Sequence, residues 1–150
     1  MEIAHANNAG YVHGGTIMRL VDTAAGTAAM RHTGSRRVVT AAMDDMSFLA
    51  PVHIGDLLVV RAMVNDAHRT SMEVGARVDV ETPLDHERRY VASAHLVFVA
   101  LDENGRPTKV PPVVAETAEE RRRQAQARIR REQRLLRKRA LEKARMETDL

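Results

Sequence analysis

Residues 14–32 read GGTIMRLVDTAAGTAAMRH, a long run of mostly small and apolar residues with few charges. This composition predicts a helix that is opened by the Gly14-Gly15 pair, runs to about His32 and stops at Gly34. A helix that is apolar over most of its surface must be covered by other elements. The segment therefore constrains the fold, because the rest of the chain has to supply a layer that packs around one buried helix.

Four segments after this helix are rich in β-branched residues and partly alternate between apolar and polar positions. They are residues 38–49, 56–67, 70–82 and 88–102. Short links with turn residues separate them, and the Asn-Gly turn signal in ENGRP (103–107) ends the last one. Four consecutive strands with short links favour an antiparallel meander. We therefore predict an α+β fold with a sheet around one central helix.

The tail from about residue 116 to 147 is rich in Ala, Glu, Gln, Arg, Lys and Leu and has no Gly or Pro. This composition predicts one long helix. The predicted division is a globular domain over residues 1–114 and a basic C-terminal helix over residues 115–150. We expect this helix to pack on the domain or on a neighbouring subunit.

The charges are divided unevenly along the chain. Residues 121–150 carry twelve Lys/Arg against four Asp/Glu, whereas residues 1–120 carry eleven against sixteen. The high pI of about 9.8 therefore belongs to the tail and not to the domain.

The composition also excludes several classes of protein and site. The chain has no cysteine, which excludes disulfides, zinc–thiolate sites and thiol nucleophiles. The sequence has no run of 18 apolar residues, so no membrane span is predicted. The first residues, MEIAHANN, lack the basic and apolar regions of a signal peptide, so we expect a cytoplasmic protein. The seven histidines form no H-x-x-x-H or H-x-H pair, so no metal site is predicted.

Asp22 is the one carboxylate inside the apolar helix. At 100° per residue, the predicted core face holds Ile17, Leu20, Val21, Ala24 and Ala28. The neighbours of Asp22 on its own face are Met18, Ala25, Gly26 and Ala29. A carboxylate among small apolar side chains is costly unless it is hydrogen-bonded or has a task. It is therefore either a structural residue bonded to a nearby group or a functional acid.

The glycine pair at the start of the helix favours the functional interpretation. Free N–H groups at a helix start stabilise developing negative charge, and glycines allow a substrate carbonyl to come close. Asp22 follows about two turns later. A carbonyl held at such a helix end, together with a carboxylate from the same helix or from a neighbouring subunit, is a layout for acyl hydrolysis.

Four blocks of sequence, spread over about residues 5–135, carry more specific motifs. The first is N-x-x-G-x-x-H-G-G-x-I-M-x-x-x-D, carried by Asn7, Gly10, His13, Gly14, Gly15, Ile17, Met18 and Asp22. The others are VVTAAMDDMSFLAPVHIGD (38–56), RTSMEVGARV (69–78) and FVALDENGRPTKVPP (98–112). In this order the blocks resemble those of the acyl-CoA thioesterases of the hotdog superfamily.

The resemblance implies a hotdog fold, an antiparallel sheet wrapped around one long central helix, here with an additional C-terminal helix. It implies a dimer or trimer of dimers with active sites at subunit interfaces. The implied reaction is hydrolysis of acyl-CoA to a free fatty acid and CoA, without a separate cofactor because CoA is part of the substrate and product.

The resemblance also implies roles for individual residues. Asp22 is implied as general base or nucleophile, Asn7 as the residue that positions water or substrate, and Gly15 as the N–H that polarises the carbonyl. CoA contacts are implied for Ala41, Ala42, Met43, Thr70, Ser71 and Met72, and for Arg131 or Arg134 on the C-terminal helix. Apart from the resemblance, the position of His13 beside the glycines assigns it either to the pocket or to the helix start, and Asp44 and Asp45 are predicted to be structural or hydrogen-bonding residues within their strand.

Other functions stay open. One is a non-hydrolytic acyl-CoA binder or another hotdog enzyme such as a dehydratase, although dehydratases generally use a histidine on or near this helix. Another is nucleic-acid binding through RRR (121–123) and RKR (137–139), which the absence of a base-reading motif disfavours. The family usually has a strand before the asparagine motif. Because this chain starts six residues before Asn7, we expect either an upstream start or a reduced edge strand.

Overall fold

The computed structural model describes residues 1–84 and 86–148. Its helices are α1 (Gly14–Thr33) and α2 (Ala118–Thr148), and its strands are β1 (Val38–Phe48), β2 (Leu57–Ala67), β3 (Ser71–Glu81) and β4 (Arg88–Ala100). A short 3-10 turn, Ile3–His5, precedes α1. The predicted α+β arrangement is therefore present. Within the described residues, no helix has the length and apolar character needed to cross a membrane.

Helix α1 lies against the sheet through a stripe of buried residues spaced four apart, Ile17, Val21, Ala25 and Ala29. The predicted core face was therefore wrong in part, because Ala25 and Ala29 are buried and do not share the exposed surface of Asp22. Small side chains at these positions bring the helix close to the sheet, and Gly26 lies beside the ring of Phe98. The helix ends at Gly34 in the left-handed conformation, as predicted.

All strand pairs in the sheet are antiparallel, and the strand order is β1-β4-β3-β2. Strands β2, β3 and β4 form the predicted meander, but β1 pairs with β4, so the meander was wrong for the first connection. The reason is the link 49–56, which is not a hairpin. The Leu49 N–H donates to the Val91 carbonyl, and the Val52 carbonyl accepts from the Val12 N–H just before α1. The link therefore crosses beside the helix start.

The two faces of the sheet differ in chemistry. On β3, Met72, Val74, Ala76, Val78 and Val80 are buried in the core that packs against α1. The alternate positions point to the opposite face and include the buried acids Glu73 and Asp79. Helix α2 lies on this second face and contacts β2. The division at residues 114 and 115 stays a prediction.

Candidate active site

The structure brings Asp22 of α1 next to Thr40 of β1. The Thr40 hydroxyl donates to Asp22 Oδ1 at 2.6 Å, and both side chains are exposed within the single chain. No described residue donates a hydrogen bond to the second oxygen, Oδ2, which remains available to water or substrate. Thr40 was missed in the sequence, although it directly precedes the strand residues 41–43 that were predicted to contact CoA.

The exposure of Asp22 corrects one premise of the prediction. Because the carboxylate reaches solvent, folding of one chain does not carry the free-energy cost of burying it. Its hydrogen bond from Thr40 is the kind of contact that the structural interpretation predicted. The same region also exposes several large apolar side chains, namely Tyr11, Met18, Phe48 and Leu49. A second subunit that covered these side chains would remove their apolar surface from water.

Asn7 lies in a tight loop that its own side chain stabilises. Its Oδ1 accepts hydrogen bonds from the N–H groups of Ala9 at 2.9 Å and Tyr11 at 3.1 Å. Gly10 has a φ of 80°, which allows the chain to turn back so that the Asn7 N–H donates to the Tyr11 carbonyl. Because the loop uses the carbonyl of the side chain, the NH₂ group of Asn7 is the part that can serve a ligand.

The N–H of Gly15 is already used within this chain. It donates to Nδ1 of His13 at 2.9 Å, so His13 is the N-cap of α1. This geometry places His13 at the helix start, one of its two predicted roles. A substrate carbonyl at Gly15 would have to share or displace this bond. Gly14 lies beneath the ring of Phe48, where an added Cβ would be 3.4 Å from the ring.

Asp22 lies about two turns further along α1 than Gly15. Seven residues separate them, which corresponds to about 10 Å along an α-helix. A water activated by Asp22 must lie about 3 Å from both the acid and the carbonyl carbon. Within one chain, the carbonyl polarised by Gly15 and the water activated by Asp22 would have to span this separation.

The predicted CoA residues are partly brought together. A cavity of about 590 Å³ between β1 and α2 is lined by Ala42, Met43 and Arg134, together with the bases Arg137 and Lys138. Arg134 donates to Asp44, and Asp45 accepts from His95 Nδ1, so both acids form the predicted structural hydrogen bonds. Burial raises the pKa of Asp44, and Arg134 offsets this effect only in part.

The remaining predicted CoA residues lie elsewhere. Ala41 is an exposed residue at a β-bulge, and Thr70 and Ser71 are half-buried at the start of β3. Met72 is fully buried in the core, so a CoA contact through its side chain is not supported. Arg131 does not line the cavity but lies near His68, where burial and the charge of Arg131 lower the pKa of the histidine. Arg134 is therefore the better candidate of the two arginines.

Comparison with known proteins identifies the family to which this chain belongs. The family model of the thioesterase superfamily matches residues 9–85. The chain belongs to the thioesterase superfamily. Its sequence is 41% identical over 114 residues to the uncharacterized acyl-CoA thioester hydrolase YkhA of Bacillus subtilis, covering 76% of this chain and 66% of that protein. It is 35% identical over 116 residues to the cytosolic acyl coenzyme A thioester hydrolase of Rattus norvegicus, covering 76% of this chain and 30% of that protein. The chain thus spans less than two thirds of both relatives.

Solved structures confirm the hotdog fold predicted for this member of the thioesterase superfamily. The acyl-CoA hydrolase of Staphylococcus aureus, in complex with butyryl coenzyme A, coenzyme A and coenzyme A disulfide, is 33% identical with a TM-score of 0.88 over 100% of this chain and 91% of that one. An apo-hexameric acyl-CoA thioesterase is 36% identical with a TM-score of 0.87 over 91% and 87%. Structures also exist of three Staphylococcus aureus variants in which an asparagine, an aspartate or a threonine is replaced by alanine.

Proposed function

We propose that this chain hydrolyses the thioester of acyl-CoA to a free fatty acid and CoA. The main support for this proposal is the Asp22 carboxylate, which lies on the central helix of a thioesterase-superfamily fold. The Thr40 hydroxyl donates a hydrogen bond that holds this carboxylate in position. The acyl-CoA thioester hydrolases among its relatives support the substrate class. A carboxylate with one oxygen fixed and the other open is suited to accept a proton from water.

The spacing of residues substituted in the Staphylococcus aureus enzyme supports the same assignment. The asparagine and aspartate replaced there stand fifteen positions apart, as Asn7 and Asp22 do here. The threonine replaced there follows the aspartate by seventeen positions, and Thr40 follows Asp22 by eighteen. We therefore assign Asn7, Asp22 and Thr40 to one functional set.

The proposed reaction uses groups from two subunits. Asn7 NH₂ and Gly15 N–H of one subunit polarise the thioester carbonyl, and Asp22 of the partner subunit takes a proton from water as general base. The water oxygen bonds to the carbonyl carbon, the carbon–sulfur bond breaks, and the proton passes to the CoA thiolate. In the alternative route, Asp22 attacks the carbonyl as nucleophile, the carbon–sulfur bond breaks and CoA leaves as its thiolate. Water then cleaves the resulting anhydride and supplies the proton that the thiolate takes up.

The two-subunit arrangement implies an assembly, and we propose a dimer or a trimer of dimers. The exposed apolar side chains near Asp22 support a subunit interface there. A hexameric assembly of a relative supports the larger form. We also propose a cytoplasmic location and a role in fatty acid metabolism, supported by the cytosolic relative of Rattus norvegicus.

The experiment that tests the activity is CoA release from a series of acyl-CoA substrates of increasing chain length. We expect release of one thiol and one fatty acid for each substrate consumed, with a preference for part of the series. Binding of acyl-CoA without release of thiol would instead identify a non-hydrolytic binder. Hydration or dehydration of the acyl chain with the thioester intact would identify a dehydratase-type enzyme.

Thr40→Val should lower kcat by about tenfold, because it removes the hydroxyl that holds Asp22 and keeps the shape of the side chain. Thr40→Ser is the matched control, since it retains the hydroxyl, and it should keep activity within about threefold. The measurement is steady-state kinetics at saturating acyl-CoA. Equal kcat values for the valine and serine variants would remove Thr40 from the functional set.

Arg134→Ala should raise KM for acyl-CoA by about tenfold with little change in kcat, because a remote phosphate contact binds ground and transition states alike. The increase should disappear with a pantetheine thioester, which lacks the nucleotide phosphates. Arg131→Ala is the control, since this arginine does not line the cavity beside Ala42 and Met43. An equal KM increase on both substrates would assign Arg134 to folding or packing.

A further inference from the structure

A second basic groove lies between the first turns of α2 and strands β2 and β3. It has a volume of about 500 Å³. Its basic lining residues are Arg61, Arg77, His95, Arg122, Arg123 and Arg130. This arginine groove is distinct from the cavity beside Ala42 and Met43, to which only Arg130 also contributes among these residues.

The arginine groove is on the opposite face of the sheet from Asp22. In the strand register, Arg61 pairs with Arg77 and Gly75 with His95, so these positions share one face. The neighbouring position Ala76 points into the core that packs against α1. The four-stranded sheet therefore separates the groove from the Asp22–Thr40 pair within one chain.

The charges in the groove do not cancel. Asp79 accepts hydrogen bonds from both Arg61 and Arg77, Glu119 pairs with both Arg122 and Arg123, and Glu73 pairs with Arg130. Counting His95 with its partner Asp45, six basic groups face four carboxylates, so the bases of the groove outnumber their acid partners. Although burial acts to raise it, the hydrogen bonds from Arg61 and Arg77 hold the pKa of Asp79 below its ordinary value, so this acid stays ionised.

Two of the three acids that pair with arginines lie beneath them, whereas Glu119, with a side chain 58% exposed, reaches the solvent beside Arg122 and Arg123. The side chains of Asp79 and Glu73 are only 3% and 6% exposed, whereas those of Arg61, Arg77 and Arg122 are 58%, 56% and 66% exposed. A guanidinium group has five N–H donors, and one carboxylate uses at most two of them. The outer N–H groups therefore remain for an anion, while the buried Asp79 fixes Arg61 and Arg77 and the buried Glu73 fixes Arg130.

His95 adds a further polar group to the groove. Its Nδ1 lies 2.7 Å from Asp45 Oδ1, which orients the ring and leaves Nε2 for a ligand. Arg77 is held from its other side, because its guanidinium stacks 4.4 Å from the centre of the Tyr90 ring. The groove thus has positioned donors and does not depend on mobile surface side chains alone.

We propose that the arginine groove binds a doubly charged phosphate group, a phosphate monoester or a pyrophosphate. The excess of guanidinium groups over carboxylates attracts an anion, and planar guanidinium groups bind phosphate oxygens in pairs. Such a group has two possible sources. It belongs either to a free phosphorylated ligand or to the nucleotide end of a CoA molecule that is bound mainly by a neighbouring subunit.

The test is calorimetric titration of the full-length assembled protein with pyrophosphate at constant ionic strength. The double variant Arg61→Gln/Arg122→Gln should bind at least about tenfold more weakly, since it removes two exposed guanidinium groups and no buried acid. Arg139→Gln on the same helix is the matched control, because Arg139 is exposed and does not line the groove, and it should bind as the wild type does. Thermal unfolding checks that all three proteins are folded.

Equal affinities of the double variant and the control, or no binding of pyrophosphate by the wild type at millimolar concentration, would overturn the proposal. A second titration at saturating CoA separates the two sources. Displacement of pyrophosphate by CoA assigns the site to the nucleotide end of CoA, and simultaneous binding assigns it to a free phosphorylated ligand. Since these readouts do not use thioester cleavage, the result is independent of the proposed hydrolytic activity.

Discussion

Asp22→Asn is expected to lower kcat for acyl-CoA hydrolysis by about 100-fold or more, because an amide can neither accept the proton from water nor attack the carbonyl. The substitution keeps the size of the side chain, and its oxygen still accepts the hydrogen bond from Thr40. The fold and assembly should therefore be unchanged. The measurement is kcat from thiol release, together with thermal unfolding and sedimentation of the variant.

Asp102→Asn is the matched control for this substitution. Its carboxylate Oδ1 accepts from the N–H groups of Asn104 and Arg106 in a turn after β4, and asparagine preserves that acceptor. We expect near-wild-type activity for this variant. A folded, assembled Asp22→Asn protein that turned over at the control's rate would remove Asp22 from the chemistry.

Arg130→Ala is expected to reduce the free energy of unfolding by about 3 kcal/mol, because it leaves a buried carboxylate without its charged partner. Arg130 donates through Nε and Nη2 to the two oxygens of Glu73, at 3.0 and 2.7 Å. Glu73 is almost completely buried, and its other donor is the Asn65 amide. The measurement is urea unfolding at a fixed subunit concentration.

Lys143→Ala provides the comparison for this prediction. Lys143 pairs with Glu147 on the same helix, and both side chains are largely exposed. Exposed pairs of this kind contribute about 0.5 kcal/mol or less. A loss for Arg130→Ala as small as that for Lys143→Ala would show that the Arg130–Glu73 pair does not hold α2 on the sheet.

The positive charge of α2 is partly neutralised by the body of the same chain. Arg128 pairs with the buried Asp66, to which Gln124 also donates, and Arg134 pairs with Asp44. Together with Arg130, these arginines form ion pairs with acids of the sheet and do not make up a free basic surface. This arrangement weakens the nucleic-acid alternative, because these arginines are already neutralised by acids of the same chain and add little to the net positive charge of the surface.

The elements that depend on nearby residues could be predicted from the sequence. The Gly14-Gly15 pair and Gly34 mark the ends of α1, and the strand segments were predicted because alternation is a local pattern. The pairing of β1 with β4 could not be predicted, because it depends on the link 49–56 packing beside the helix start, where Val12 and Val52 meet.

The residues of the candidate site could likewise be predicted from the sequence only in part. Asp22 was identified because a carboxylate stands out in an apolar helix and because it ends the glycine motif. Its partner Thr40 was missed because the contact joins residues eighteen positions apart on different elements. The preference for Arg134 over Arg131 as the candidate also required the structure, since arginines repeat along α2 and only their positions on the sheet distinguish them.

Mixing two inactive variants tests most directly whether Asn7 of one subunit and Asp22 of another form one site. Asn7→Ala and Asp22→Asn subunits are dissociated, mixed in equal amounts and reassembled, and CoA release is compared with that of each parent treated alone. Random pairing gives about half mixed dimers, each with one site that has both native residues, so about a quarter of wild-type activity should return. A mixture no more active than its parents, with exchange of subunits verified by mass, would contradict the shared site.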